Sequence, residues 1–97
     1  MRESRLRATY GLTAEDFDAM AEVQEWVCAV CEQPEDKVSE TGVLLPLSVD
    51  HDHDTGRVRG LLCHKCNTAI GLLRDDPELA DRVAEYLRLN LLTKTTG

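Results

Sequence analysis

Four cysteines constrain this chain more than any other feature. Cys28 and Cys31 form one C-x-x-C pair and Cys63 and Cys66 a second, and the 97 residues contain no others. Two tight turns that each present a pair of thiolates match the tetrahedral sulfur site of a structural zinc, which keeps no position open for substrate. A redox pair, an iron–sulfur site and disulfides are the alternatives for the same residues. A chain of this length buries a modest share of its unfolded surface, so a staple is expected. Thirty-one residues separate Cys31 from Cys63, a longer gap than a zinc ribbon uses. Zinc joining the knuckles would therefore hold both ends of an inserted element.

Local signals define the elements around the knuckles. Thr13 with Asp16 three residues on reads as a capping box, and Phe17, Met20, Ala21 and Val27 recur at helical spacing, predicting a helix to about Val27. Glu32 to Gly42 reads as a loop. Val43 to Val49 is β-prone, but Pro46 demotes it to an edge or bulged strand. Asp54, Thr55 and Gly56 mark a turn between two short extended runs, so Val49 to Leu62 reads as a β-hairpin. Asn67 to Leu73 resembles a short helix. Asp76 and Pro77 start another, as cap and first-turn proline, with Leu79, Ala80, Val83, Ala84, Leu87 and Leu91 on one face. The expected organisation is a basic arm over 1–12, one α+β domain over 13–92 and a frayed tail over 93–97.

The formal net charge is −7, and four thiolates with one zinc take it to about −9, which argues against simple wrapping on polyphosphate. The charge is uneven, however. Arg2, Arg5 and Arg7 open the chain, and Arg57, Arg59, Lys65 and Arg74 surround the hairpin region. The arginine-rich start carries no apolar signal-peptide stretch, and nothing is long enough to span a membrane. A cytoplasmic setting, in a reducing cell interior, is therefore expected, and it favours thiolates on metal over disulfides.

Val49-Asp50-His51-Asp52-His53-Asp54 concentrates two of the three histidines and three acids in one stretch. Strand alternation sends Asp50 and Asp52 to one side and His51 and His53 to the other, unless the strand bulges. A magnesium-like ion takes hard oxygen ligands and keeps waters while sharing a substrate phosphate. The Asp50 carboxylate with the Asn67 amide oxygen, just after the last cysteine, meets that need. A neutral imidazole can accept a proton from an attacking water, the task suited to His51. Local turn caps and helix caps are the plainer reading of each residue alone, and a second zinc or a calcium is an alternative occupant of the cluster. His64 and Lys65 in the second knuckle, with Arg57 and Arg59, are candidate nucleic-acid contacts.

Taken together, Tyr10-Gly11-Leu12-Thr13, Cys28-Ala29-Val30-Cys31, Val49-Asp50-His51-Asp52-His53, Thr55-Gly56-Arg57-Val58-Arg59-Gly60-Leu61-Leu62-Cys63, Cys66-Asn67 and Gly71-Leu72-Leu73 resemble the recombination endonuclease VII family. The resemblance covers roughly Tyr10 to Leu87. It implies a ββα-metal (His-Me finger, HNH) fold with flanking helices and a structural zinc at the four cysteines. It further implies a magnesium or manganese ion held at Asp50 and Asn67, His51 as general base and His53 as a second active-site histidine. The implied reaction is DNA phosphodiester hydrolysis to a 5′-phosphate and a 3′-hydroxyl. This sequence has Ile70 where the family pattern carries a further acid. The long C-terminal part linked to junction binding and dimerisation has no match here, so DNA cleavage carries over further than four-way junction resolution. A homodimer through the apolar segment Tyr86 to Leu92 is compatible with the sequence, as is core packing. Two other readings share the residues: a non-catalytic zinc module that binds DNA or protein, and a sequence-specific homing or restriction enzyme.

Overall fold

A computed structural model describes residues 11–89. Among the described residues there are three helices and a two-stranded antiparallel sheet: α1 (Ala14–Val23), β1 (Ser48–His51), β2 (Val58–Leu62), α2 (His64–Leu72) and α3 (Pro77–Leu89). The basic arm with Arg2, Arg5 and Arg7, the tail from Thr93, and Leu91 and Leu92 lie outside the described residues.

The capping box at α1 forms as the sequence requires. Asp16 N–H donates to Thr13 Oγ1 at 3.0 Å, and Thr13 N–H donates to Asp16 Oδ2 at 3.1 Å. Two orphan donors of the first turn are thereby satisfied. Phe17 and Ala21 are the buried positions of this helix. It ends at Val23 rather than near Val27, because Glu25 and Trp26 turn into the left-handed region at φ 57° and 61°. The physical cause is the next-door Gln24, whose side chain leaves the helix to bind β2. Its Oε1 accepts the Leu61 N–H at 3.0 Å, and its Nε2 donates to the Leu61 and Val27 carbonyls at 2.9 Å each. The amide thus pairs with the free edge of the hairpin as a strand would, and the chain turns back to bring Cys28 beside it.

Only an isolated bridge, Val38 to Leu44, and the last two residues of the 43–49 run are extended in a ladder. Pro46 has no N–H to give, and the chain instead closes a turn in which Ser39 N–H donates to the Val43 carbonyl and Gly42 N–H to that of Ser39. The hairpin forms as expected, with Ser48 opposite Leu62, Val49 opposite Leu61, Asp50 opposite Gly60 and His51 opposite Val58. Arg59 is the extra residue, a β-bulge between the last two pairs.

The core is small, and two of its eight buried residues are cysteines. Phe17, Ala21, Leu47, Val49, Leu61 and Leu62 pack with the buried thiols Cys28 and Cys63. Helix α2 begins at His64, three residues ahead of expectation, because Cys63 itself is the N-cap and its Sγ accepts the Cys66 N–H. Helix α3 opens at Pro77 with Asp76 Oδ1 accepting the Glu78 N–H, as its cap signal indicates. No residue of α3 is buried, and Val83, Tyr86, Leu87 and Leu89 are exposed. Its apolar face does not belong to the core of the described residues.

Candidate active site and metal centre

Each C-x-x-C pair is a turn closed by an N–H to sulfur bond: Val30 N–H to Cys28 Sγ at 3.3 Å, and Cys66 N–H to Cys63 Sγ at 3.4 Å. The first knuckle is docked on the hairpin by Ala29 N–H donating to the Leu61 carbonyl. The four Sγ atoms lie within 4.8 Å of one another. Tetrahedral zinc with Zn–S bonds of about 2.3 Å separates its sulfurs by about 3.8 Å, and Cys31 and Cys63 are 3.8 Å apart at sulfur. The cluster therefore fits a zinc ion, and all four cysteines are free thiols.

The electrostatics of the thiols are uneven. Burial opposes ionisation of Cys28 most, yet backbone hydrogen bonds from Cys31, Cys63 and Val30 together outweigh it and bring the thiol down to about 6. Burial pushes Cys66 up to about 12, helped by its thiol neighbours. A metal-free cluster thus keeps protons that a zinc ion displaces on binding.

Val49, Asp50, His51, His53, Asn67, Ile70, Gly71 and Asp75 line a cleft of about 160 Å³. Asp50, His51 and His53 all border this cleft, while Asp52 does not. Asp52 instead caps the hairpin loop, its Oδ1 accepting the Asp54 N–H at 2.8 Å and the Thr55 N–H at 3.1 Å. These two backbone bonds, Thr55 first, hold its carboxyl below the usual range. The His51 and His53 rings meet edge to face at 4.9 Å. Asn67 reaches the cleft from α2, one turn after Cys63, whose carbonyl accepts its N–H.

Asp50 is buried and lies in the fork of Arg59, with Nε to Oδ2 at 2.8 Å and Nη2 to Oδ1 at 3.0 Å. Bidentate pairing of this kind is strong and directional, and with Asp50 first among the causes it raises the Arg59 pKa further. The sequence reading of Arg59 was as a nucleic-acid contact; here its Nε and Nη2 are committed inside the site. Arg57, His64 and Lys65 are exposed, Lys65 in a 3.5 Å surface pair with Asp36.

Three residues of this region escaped the sequence reading. Gln24 has been described. Glu35, in the predicted loop, is buried; its Oε1 accepts the His64 N–H at 2.7 Å and its Oε2 those of Asp36 and Lys37. It ties the loop to the first turn of α2. Asp75 sits where the chain turns between α2 and α3, and its Oδ1 is buried without a hydrogen-bond partner. Asp75 shares the cleft lining with Asp50 and Asn67, and carboxylate and amide oxygens are the donor type that a hard divalent cation takes. Nothing in the sequence flagged Asp75, because its neighbours Asp76 and Pro77 already account for a helix start.

Four cysteines positioned to bind a metal beside a short hairpin and a helix, with acid, imidazole and amide groups around one cleft, define a small α+β protein. The family model described as recombination endonuclease VII matches residues 3–89, and the chain belongs to that family. It is 47% identical over 87 residues to the Gene 59 protein of Mycobacterium phage D29, covering 89% of this chain and 49% of that protein. It is 43% identical over 86 residues to the Gene 59 protein of Mycobacterium phage L5, covering 88% and 49%. The chain spans about half the length of these curated relatives. Among the described residues no helix is long and apolar enough to cross a membrane.

Proposed function

We propose that this chain is a metal-dependent DNA endonuclease of the His-Me finger (HNH) type, in which the hairpin and α2 form a ββα-metal unit within a domain spanning 13–92. The observation that carries this reading is the convergence of Asp50, His51, His53 and Asn67 on one cleft, in a member of the recombination endonuclease VII family. Cys28, Cys31, Cys63 and Cys66 would hold a structural zinc. Asp50 and Asn67 would hold magnesium or manganese, which when bound polarises the scissile phosphate and stabilises charge on the leaving oxygen.

The remaining work falls to side chains. His51 accepts a proton from the attacking water as its oxygen adds to phosphorus and the bond to O3′ breaks; the departing O3′ takes a proton from solvent water, leaving a 5′-phosphate and a 3′-hydroxyl. His53 contacts the phosphate or supports the ion. Arg57, His64 and Lys65 are exposed next to the cleft-forming elements and supply DNA contacts, with binding strongly salt-dependent on so acidic a chain. The setting proposed is the cytoplasm of a bacterial or phage-infected cell, with a homodimer as the arrangement for paired cuts.

The test is nicking of supercoiled plasmid in magnesium. The parent should nick, and His51→Ala should not, with zinc content equal in both; equal nicking by the two sinks the mechanism. One observation favours a second reading as a non-catalytic zinc module: both Asp50 oxygens lie in the Arg59 fork. Tight DNA binding without cleavage under any divalent ion would decide for it.

A further inference from the structure

We infer that Asp75 is a positioning residue of this site, fixing the tautomer of His53 and, through Arg59, the orientation of Asp50. The inference rests on the nuclease reading for its consequence, though not for its geometry. Asp75 Oδ2 lies 3.0 Å from His53 Nδ1 and 3.3 Å from Arg59 Nη2, and the same Nη2 reaches Asp50 Oδ1 at 3.0 Å. One carboxylate thus joins the hairpin loop, at His53, and β2, at Arg59, to the turn that follows α2.

The backbone holds Asp75 there at a cost. Arg74 and Asp75 are both left-handed, at φ 58° and 55°, and Asp75 N–H donates back to the Ile70 carbonyl at 3.1 Å. Two successive non-glycine residues in that region are unfavourable and persist where surrounding contacts over-determine them. The contacts doing so here are those to His53 and Arg59. The Asp75 side chain is 19% exposed while that of His53 is 65% exposed, so the anchored partner restrains the freer ring.

The chemistry follows from what a carboxylate can accept. With Asp75 opposite Nδ1, the neutral His53 ring carries its proton on Nδ1 and keeps the lone pair on Nε2. Nε2 is then an acceptor or an ion ligand, as the second histidine of the site requires. The ring also meets His51 edge to face, so its placement bears on the proposed base. Groups that orient a ligand or base in this manner change activity by about 10- to 100-fold when removed.

The experiment measures the His53 tautomer by long-range proton–nitrogen correlation NMR on the zinc-loaded chain, at a pH where the imidazoles are neutral. Plasmid-nicking kinetics in magnesium are run alongside. In the parent His53 should carry its proton on Nδ1. Asp75→Ala should release it toward the Nε2–H form and lower kcat about 10- to 100-fold, with KM within about twofold. Asp75→Asn tolerates the left-handed backbone and keeps an acceptor oxygen, so it should retain the Nδ1–H form and most of the activity. An Nε2–H tautomer in the parent, or an Nδ1–H tautomer surviving in Asp75→Ala, overturns the inference; the parent measurement decides alone if the alanine variant does not fold. A parent with the Nδ1–H form but no nicking would overturn the nuclease reading and leave the positioning role standing.

Discussion

Replacing Gln24 with alanine tests how the zinc knuckle, α1 and the hairpin are joined. Three hydrogen bonds are lost, two to the backbone of Leu61, which is fully buried, and one to Val27. The Leu61 carbonyl keeps a donor in Ala29 N–H, but the Leu61 N–H loses the side-chain acceptor it uses. An orphaned buried donor costs about 1 to 3 kcal/mol, and each of the other two bonds contributes about 1 kcal/mol or less. The expected loss is about 3 kcal/mol, out of a total stability that for a domain of this size is of the order of 5 to 15 kcal/mol. In urea, with a slope of about 2 kcal/mol/M, the midpoint should fall by about 1.5 M under constant excess zinc. Gln24→Glu should fare no better: it keeps an acceptor for Leu61 N–H but sets a carboxylate oxygen against two carbonyl oxygens. A loss below about 0.5 kcal/mol in Gln24→Ala, with zinc content unchanged, would refute the claim that this amide seals the hairpin edge.

Three further outcomes follow from the same geometry. Chelating the zinc should unfold the hairpin cooperatively, because Cys28 and Cys63 are core residues as well as ligands; circular dichroism that stays native after complete removal would contradict it. Glu35→Gln should cost about 2 kcal/mol, since an amide cannot accept from His64, Asp36 and Lys37 at once; denaturant melts report it. The Asp52 carboxyl is lowered in the folded chain, so its contribution to the hairpin is fully present above the ordinary carboxylate range and is lost as pH falls through its lowered value. Asp52→Asn should flatten that acid limb in melts followed by hairpin amide signals, and an unchanged limb would contradict the loop assignment.

The parts of this fold that are legible in the sequence are those fixed by neighbours. Thr13 with Asp16, the Asp54-Thr55-Gly56 turn, Asp76 with Pro77 and the cysteine pairs all act within a few residues. What was not legible acts at long range. Gln24 meets Leu61 across 37 positions, Glu35 meets His64 across 29, and His53 meets Asp75 across 22. No periodicity signals an amide that acts as a strand or a carboxylate that closes a loop. Gln24 also explains the early end of α1, where helical spacing alone carried the pattern on to Val27. The candidate site was legible as residue types around the hairpin, but that Asp50 and both histidines border one cleft with Asn67 and Asp75 depends on tertiary packing that strand alternation does not report.

The most direct test of the account is the location of a divalent ion. Anomalous diffraction from crystals of the zinc-loaded chain soaked in manganese should show one strong peak among the four sulfurs at the zinc edge. A separate manganese peak should lie between the Asp50 carboxylate and the Asn67 amide oxygen. Manganese found only at acids away from the cleft would contradict the proposed site.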